Sequence, residues 1–162
     1  FRMGRSRWSI LSGLGDFAGS TTETPYTTID LFCGAGGITE GFHAAGYRCL
    51  YGNDIMREAT ETFAYNHPDA IVDVRPVEEI DPGEVRAQLC LSENELDVLV
   101  GGPPCQGFSI NAPERFLDDH RNKLFKHYVK FLAEFKPKSF VFENVPGLLS
   151  LGDGKIFRQI ML

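Results

Sequence analysis

Thr28-Ile29-Asp30-Leu31-Phe32-Cys33-Gly34-Ala35-Gly36-Gly37 is the stretch on which the fold turns. Its first half reads as a short strand, and its second half is a glycine loop. Ile38, Phe42 and Ala45 then recur at helical spacing, and Gly46 stands where that helix should end. A glycine loop between strand and helix lets a ligand approach the backbone closely, because glycine carries no Cβ. An acid about 20 residues later, at the end of the second strand, can accept both hydroxyls of a ribose. Asp54 lies 20 residues after Gly34, behind a strand predicted over Arg48 to Gly52. The spacing Gly34-x-Gly36-x-x-Thr39 lacks the third glycine of the dinucleotide pattern. A nucleoside without pyrophosphate therefore fits better than a nicotinamide cofactor. A tight structural turn followed by a solvated, helix-capping Asp54 would give the same spacing, so both readings stay open.

Outward from this loop, strands and helices alternate. The pattern predicts a helix with Met56, Ala59 and Phe63 inward, stopped by His67-Pro68. A short strand over Ala70 to Val72 and a helix near Glu84 to Leu91 follow. Asp97-Val98-Leu99-Val100 is a continuous apolar strand, as expected when both faces are buried. A helix from about Asn122 to Phe135 is supported by Leu124, Tyr128, Leu132 and Phe135, and Ser139 to Phe142 forms a fifth strand. Lys155 to Leu162 begins another amphipathic helix. Such alternation implies an α/β fold, a mostly parallel sheet wound on both faces, whose ligands sit at the carboxyl ends of the strands. Cys33 to Gly37, Asp54, Asp73, Pro103 to Cys105 and Glu143 all fall at such ends.

Composition narrows the setting. The 162 residues suit one domain, with 43% apolar and 23% charged residues, and no apolar run approaches the roughly 18 residues of a membrane span. Residues 1–26 are rich in Gly, Ser and Thr without a period and read as a flexible arm or a vector-derived segment. They carry neither the apolar stretch nor the cleavage site of a secretory signal, although a basic, serine-containing transit peptide stays open. Cys33, Cys49, Cys90 and Cys105 contain no C-x-x-C pair, which argues against zinc and for reduced thiols in a cytosolic or nuclear compartment. The net charge is −6, and from Thr27 onward 13 basic residues stand against 20 acidic ones. Tight nucleic-acid binding needs a basic surface, so this chain should not hold DNA firmly by itself.

Cys105 follows two prolines and precedes Gln106-Gly107-Phe108-Ser109, a rigid approach with glycine for close access. Attack by such a thiol at neutral pH needs a positive or hydrogen-bonding setting. The other three cysteines are expected to be buried and structural. Glu143 follows Phe140-Val141-Phe142, which reads as buried, so its carboxylate should be paired or used. A Cys and a Glu on neighbouring strand ends can serve as nucleophile and proton donor.

Asp30 to Gly37, Gly102-Pro103-Pro104-Cys105-Gln106-Gly107-Phe108-Ser109 and Glu143-Asn144-Val145-Pro146-Gly147 together resemble three signature blocks of the cytosine-5 DNA methyltransferases, in order and spacing. Asp118-Asp119-His120-Arg121-Asn122-Lys123-Leu124-Phe125 resembles a fourth. The resemblance implies a Rossmann-like S-adenosylmethionine-dependent methyltransferase fold that acts in DNA methylation, including that of restriction–modification. It implies that Phe32, Gly34, Gly36 and Gly37 cradle S-adenosylmethionine, that Asp54 binds its ribose and that Ile55 lies against the adenine. Asp73 would accept from the adenine amino group, with Val74 beside it, and Pro104 and Leu124 would line the pocket. Cys105 would attack carbon 6 of a flipped cytosine while Glu143 hydrogen-bonds its ring nitrogen 3 and amino group.

The resemblance also sets expectations about extent. Residues 27–162 correspond to the amino-terminal part of the catalytic domain, incomplete at the carboxyl-terminal side and without the target-recognition domain. DNA is then the expected partner through that missing domain, with a complementing carboxyl-terminal chain as a second partner and no membrane. A catalytically inactive S-adenosylmethionine-binding or interaction fragment is one alternative. A tRNA cytosine-5 methyltransferase is another, although those relatives usually carry Pro-Phe-Thr where this chain has Gly107-Phe108-Ser109. A zinc deaminase also flips its base but needs H-x-E and P-C-x-x-C, and neither occurs.

Overall fold

The computed structural model describes residues 25–104 and 124–144. Five parallel strands form one sheet in the order β3-β2-β1-β4-β5. They are β1 (Thr27–Leu31), β2 (Arg48–Asn53), β3 (Ile71–Asp73), β4 (Val98–Gly101) and β5 (Ser139–Phe142). Helices α1 (Gly37–Ala44) and α2 (Arg57–Asn66) connect the first three strands. A 3₁₀ turn (Val77–Glu79) and α3 (Pro82–Gln88) precede β4, and α4 (Phe125–Phe135) precedes β5. The chain winds outward from β1 to β3, then returns to β4 beside β1. That reversal opens a crevice outside the carboxyl ends of β1 and β4.

The two sheet faces are built differently. Ile29, Leu31, Tyr51 and Leu99 pack with Val85 of α3 and with Tyr128, Phe131 and Phe135 of α4 in a largely apolar layer. The other face carries Cys33, Cys49 and Phe63, backed by Ala70 and Val72, together with buried polar groups. Gly52 leaves room for the Phe63 ring, since a Cβ there would lie 2.6 Å from Phe63 Cζ. Val98 to Gly101 are buried throughout, as a central parallel strand requires.

Several expectations need correction. Met56 is 60% exposed because it precedes α2 in an extended conformation, and Thr60 with Phe63 makes the buried stripe instead. In α1 the fully buried residue is Thr39, whereas Ala45 is exposed beyond the helix end. Gly46, at φ 88°, does follow that end. Phe131 joins the α4 stripe, stacked on Phe135 at 5.9 Å. Cys33 and Cys49 are buried as expected, but Cys90 is exposed, on a turn at φ 55° after α3. Phe140 and Val141 are 39% and 41% exposed, because β5 is the outermost strand among the described residues. Glu143 is therefore exposed, and the burial argument for its carboxylate does not hold. The expected helix start at Asn122 and the stretch from Lys155 to Leu162 lie outside the described residues, as does Cys105. Among the described residues, no helix is long and apolar enough to cross a membrane.

Candidate active site

A cleft of about 590 Å³ occupies the crevice at the strand ends. Phe32 from the loop after β1 forms one wall, Gly102 and Pro104 after β4 another, and Leu124 before α4 closes it. Asn53 at the end of β2 and Asp54, Ile55 and Met56 after it face Pro76, Val77 and Glu78 after β3. Its volume falls in the range of roughly 300–1,000 Å³ typical of small-molecule sites.

The glycine loop is shaped by backbone sterics. Phe32, Gly34 and Gly36 all have positive φ, at 60°, 52° and 94°. Glycine adopts that region freely, whereas a bulky side chain is strained there, and such strain collects at ligand sites. Gly36 is also required by packing, since a Cβ would meet His67 Nε2 and Phe63 Cδ2 at 3.0 Å. Gly37 opens α1 with free space where a Cβ would stand.

Asp54 braces this loop. Gly34 N donates to its Oδ2 at 2.9 Å, and Met56 N donates to its Oδ1 at 2.8 Å. It is not a helix cap, because Met56 holds the N-cap position of α2 and has no side-chain capping bond. Each carboxylate oxygen accepts one of these two bonds and keeps acceptor capacity for a hydroxyl. Ile55, 67% exposed, presents apolar surface to the cleft beside it.

The Asp73 carboxylate is engaged within the chain. Tyr51 Oη donates to its Oδ2 at 2.9 Å, and Arg75 donates to the same oxygen through Nη2 at 2.7 Å. Arg75 N and Nε reach Oδ1 at 2.9 and 3.1 Å. Partial burial pushes this carboxyl upward, but the Arg75 and Tyr51 hydrogen bonds outweigh it and hold the carboxyl below the usual range. Its lone pairs are occupied, and neither Asp73 nor the 41% exposed Val74 stands in the cleft wall. Pro76 and Val77, a turn further on, take that place.

Behind the loop, Thr39 Oγ1 donates to Asp30 Oδ2 at 2.6 Å, while Asp30 Oδ1 is buried without a partner. Burial, offset in part by the Thr39 bonds and reinforced by the nearby Asp54 charge, raises Asp30 from 3.8 to about 6. Burial likewise pushes the Cys33 and Cys49 thiols up, so neither is poised as a nucleophile. Across the crevice, Glu143 N donates to Gly101 O at 2.9 Å, which holds the start of the Glu-Asn block beside β4. The Glu143 carboxylate lies against Gly102, where a Cβ would meet its Oε2 at 3.0 Å. Asn144 Nδ2 donates to Pro103 O at 3.0 Å and so joins the block after β5 to the loop that leads to Cys105. Asn53, Met56, Pro76, Val77 and Glu78 were not singled out from the sequence. Only the adjacency of Asn53 to Asp54 and of Met56 to Ile55 could have pointed to any of them.

A parallel sheet with a strained glycine loop, a braced acid after β2 and a cleft at the switch point defines a doubly wound α/β fold with its candidate site at the strand ends. The sequence profile of the C-5 cytosine-specific DNA methylases matches residues 26–162, and the chain belongs to that family. It is 47% identical to the type II methyltransferase M.AgeI of Thalassovita gelatinovora, over 83% of this chain and 31% of that protein. It is 41% identical to M.DdeI of Desulfomicrobium norvegicum, over 76% and 28% respectively. The chain thus spans about a third of the length of these curated relatives. Among solved structures it resembles one described as a DNA modification methyltransferase encoded within an E. coli prophage. That match has a TM-score of 0.71 and 31% identity, over 84% of this chain and 36% of the other. Spodoptera frugiperda DNMT2 shares the fold at a TM-score of 0.61 and 21% identity, over 84% of this chain and 40% of the other.

Proposed function

We propose that this chain forms the S-adenosylmethionine-binding and cytosine-activating part of a DNA cytosine-5 methyltransferase. The observation that carries the reading is the convergence of the three signature blocks on one crevice. Phe32, Gly102 and Pro104 line it, and Glu143-Asn144 adjoin it through Gly102 and the Asn144–Pro103 bond. The cleft also suits the cofactor chemically. Ile55, Met56, Val77 and Leu124 offer apolar surface to an adenine, Asp54 offers acceptors to a ribose, and Asp54 with Glu78 gives an acidic lining that favours a cation. Bound there, S-adenosylmethionine would supply an electrophilic methyl group.

The protein's own residues then activate the base. The Cys105 thiolate adds to carbon 6 of a cytosine flipped out of the duplex, while Glu143 holds nitrogen 3 and the amino group by hydrogen bonds. The added electron density makes carbon 5 nucleophilic. After transfer a base removes the carbon-5 proton, and the thiolate leaves as carbon 6 is restored. Flipping is required because the ring is otherwise sealed in the stack.

DNA containing 5-fluorocytosine tests this, since its carbon 5 carries no removable proton. In the enzyme completed by a carboxyl-terminal chain, mass spectrometry should locate a lasting adduct on Cys105. An adduct on Cys33, or none while methylation of ordinary DNA proceeds, overturns the assignment. The net charge of −6, which gives phosphate little to bind, supports a second reading, a cofactor-binding part that is silent alone. Methyl transfer measured with and without a complementing chain separates the two.

A further inference from the structure

We infer that Asn53 is a positioning residue that sets the width of the cofactor cleft at its adenine-binding side, an inference that rests on the S-adenosylmethionine reading. Asn53 ends β2 and is 1% exposed, yet it forms part of the cleft wall. Its Nδ2 donates to two backbone carbonyls at once, Asp73 O and Arg75 O, each at 2.9 Å. These bonds fix the orientation of the carboxamide, because only its nitrogen end can donate. They also fix the path of the chain from Asp73 to Pro76, which delivers Pro76 and Val77 to the cleft.

The same residue holds the opposite wall. Cys33 N donates to Asn53 O at 3.0 Å, and the adjoining Asp54 carboxylate takes Gly34 N. Asp54 N in turn donates to Asp73 O at 3.2 Å. The Asn53-Asp54 pair thus ties the glycine loop to the segment after β3, and the Asn53 amide supplies a side-chain link to Arg75 O. The Tyr51 and Arg75 bonds that occupy the Asp73 carboxylate leave this wall to act through shape rather than through the Asp73 charge. Asp in place of Asn53 is nearly the same size but sets an acceptor against two carbonyl oxygens, so the segment must move away.

The test titrates S-adenosylmethionine and 5′-methylthioadenosine, which keeps the nucleoside and lacks the amino-acid tail, against the 162-residue chain and its variants. Asn53→Asp should weaken both ligands by the same factor, about ten-fold or more, since two neutral hydrogen bonds are lost. Asn53→Ser keeps one donor and should fall between, and it serves as the readout if Asn53→Asp does not fold. A merely structural role would lower the melting temperature and leave the affinity of the folded fraction unchanged. That result in either variant overturns the inference, as does a loss confined to S-adenosylmethionine, and so does failure of both variants to fold. Failure of the unsubstituted chain to bind either ligand would instead overturn the cofactor reading itself.

Discussion

Asp54 and Asp30 stand in the same corner and do opposite things with their carboxylates. Asp54 spends one lone pair of each oxygen on the backbone and keeps the rest for a ligand. Asp54→Ala should therefore cost about 1–3 kcal/mol of S-adenosylmethionine affinity, through ribose hydroxyls left unpaired. Calorimetry checks this, and equal affinity would remove the ribose assignment. Asp30 is enclosed, with one oxygen on Thr39 and the other unpartnered. Its folded value of about 6 lies above the ordinary 3.8, so the folded state binds the proton more tightly. That contribution is fully present below about pH 4 and is lost as pH rises through 6, on the order of 3 kcal/mol. Asp30→Asn should flatten the stability profile across this window. Parallel denaturant titrations of both proteins from pH 4 to 7 would show it, and an unchanged slope would refute the claim.

Strands and helices meet here through glycines whose surroundings differ sharply. In β2, Gly52 faces the buried Phe63 ring, and Gly52→Ala should destabilise by about 1–3 kcal/mol through overpacking. In α1, a Cβ at Gly41 would meet nothing within 4 Å, so Gly41→Ala should stabilise by about 0.5–1 kcal/mol through helix propensity alone. Urea midpoints of the two variants should move in opposite directions. Movement in the same direction would mean that the α2–β2 packing is not what fixes Gly52. The sequence marked both elements, but alternation alone could not say which glycine sits under a ring.

As a whole molecule, the chain combines a net charge of −6 with a β5 edge whose Phe140 and Val141 are substantially exposed. Among the described residues β5 is an edge strand; an apolar edge of that kind recruits another strand or aggregates, and an acidic surface gives phosphate little to bind. Glu143 follows that edge strand directly, where fraying would misplace a group that must be held within about 0.5 Å. The 162-residue chain should accordingly be oligomeric or poorly soluble and show no measurable turnover until a complementing carboxyl-terminal chain is added. Light scattering and methyl-transfer assays test both halves. A monodisperse chain that methylates duplex DNA unaided would refute the dependence.

Local pattern determined much of this protein. The β1–glycine loop–α1 unit, the place of Asp54 at the end of β2 and the parallel alternation were legible because they depend on period, glycine sterics and spacing along the chain. Membership of the methylase family was legible because three blocks recur in order. What the sequence could not assign was set by partners far away in it. Asp73 looks like a free acceptor at a strand end, yet Tyr51, 22 residues earlier, and Arg75 occupy its carboxylate. Phe140-Val141-Phe142 reads as buried, yet its burial depends on which strand lies outside it. Asn53 carries no motif, and only the fold brings two carbonyls from the next strand's end to its amide. Hydrogen-bond saturation and edge position are properties of neighbours in space, and the tertiary structure alone decides them.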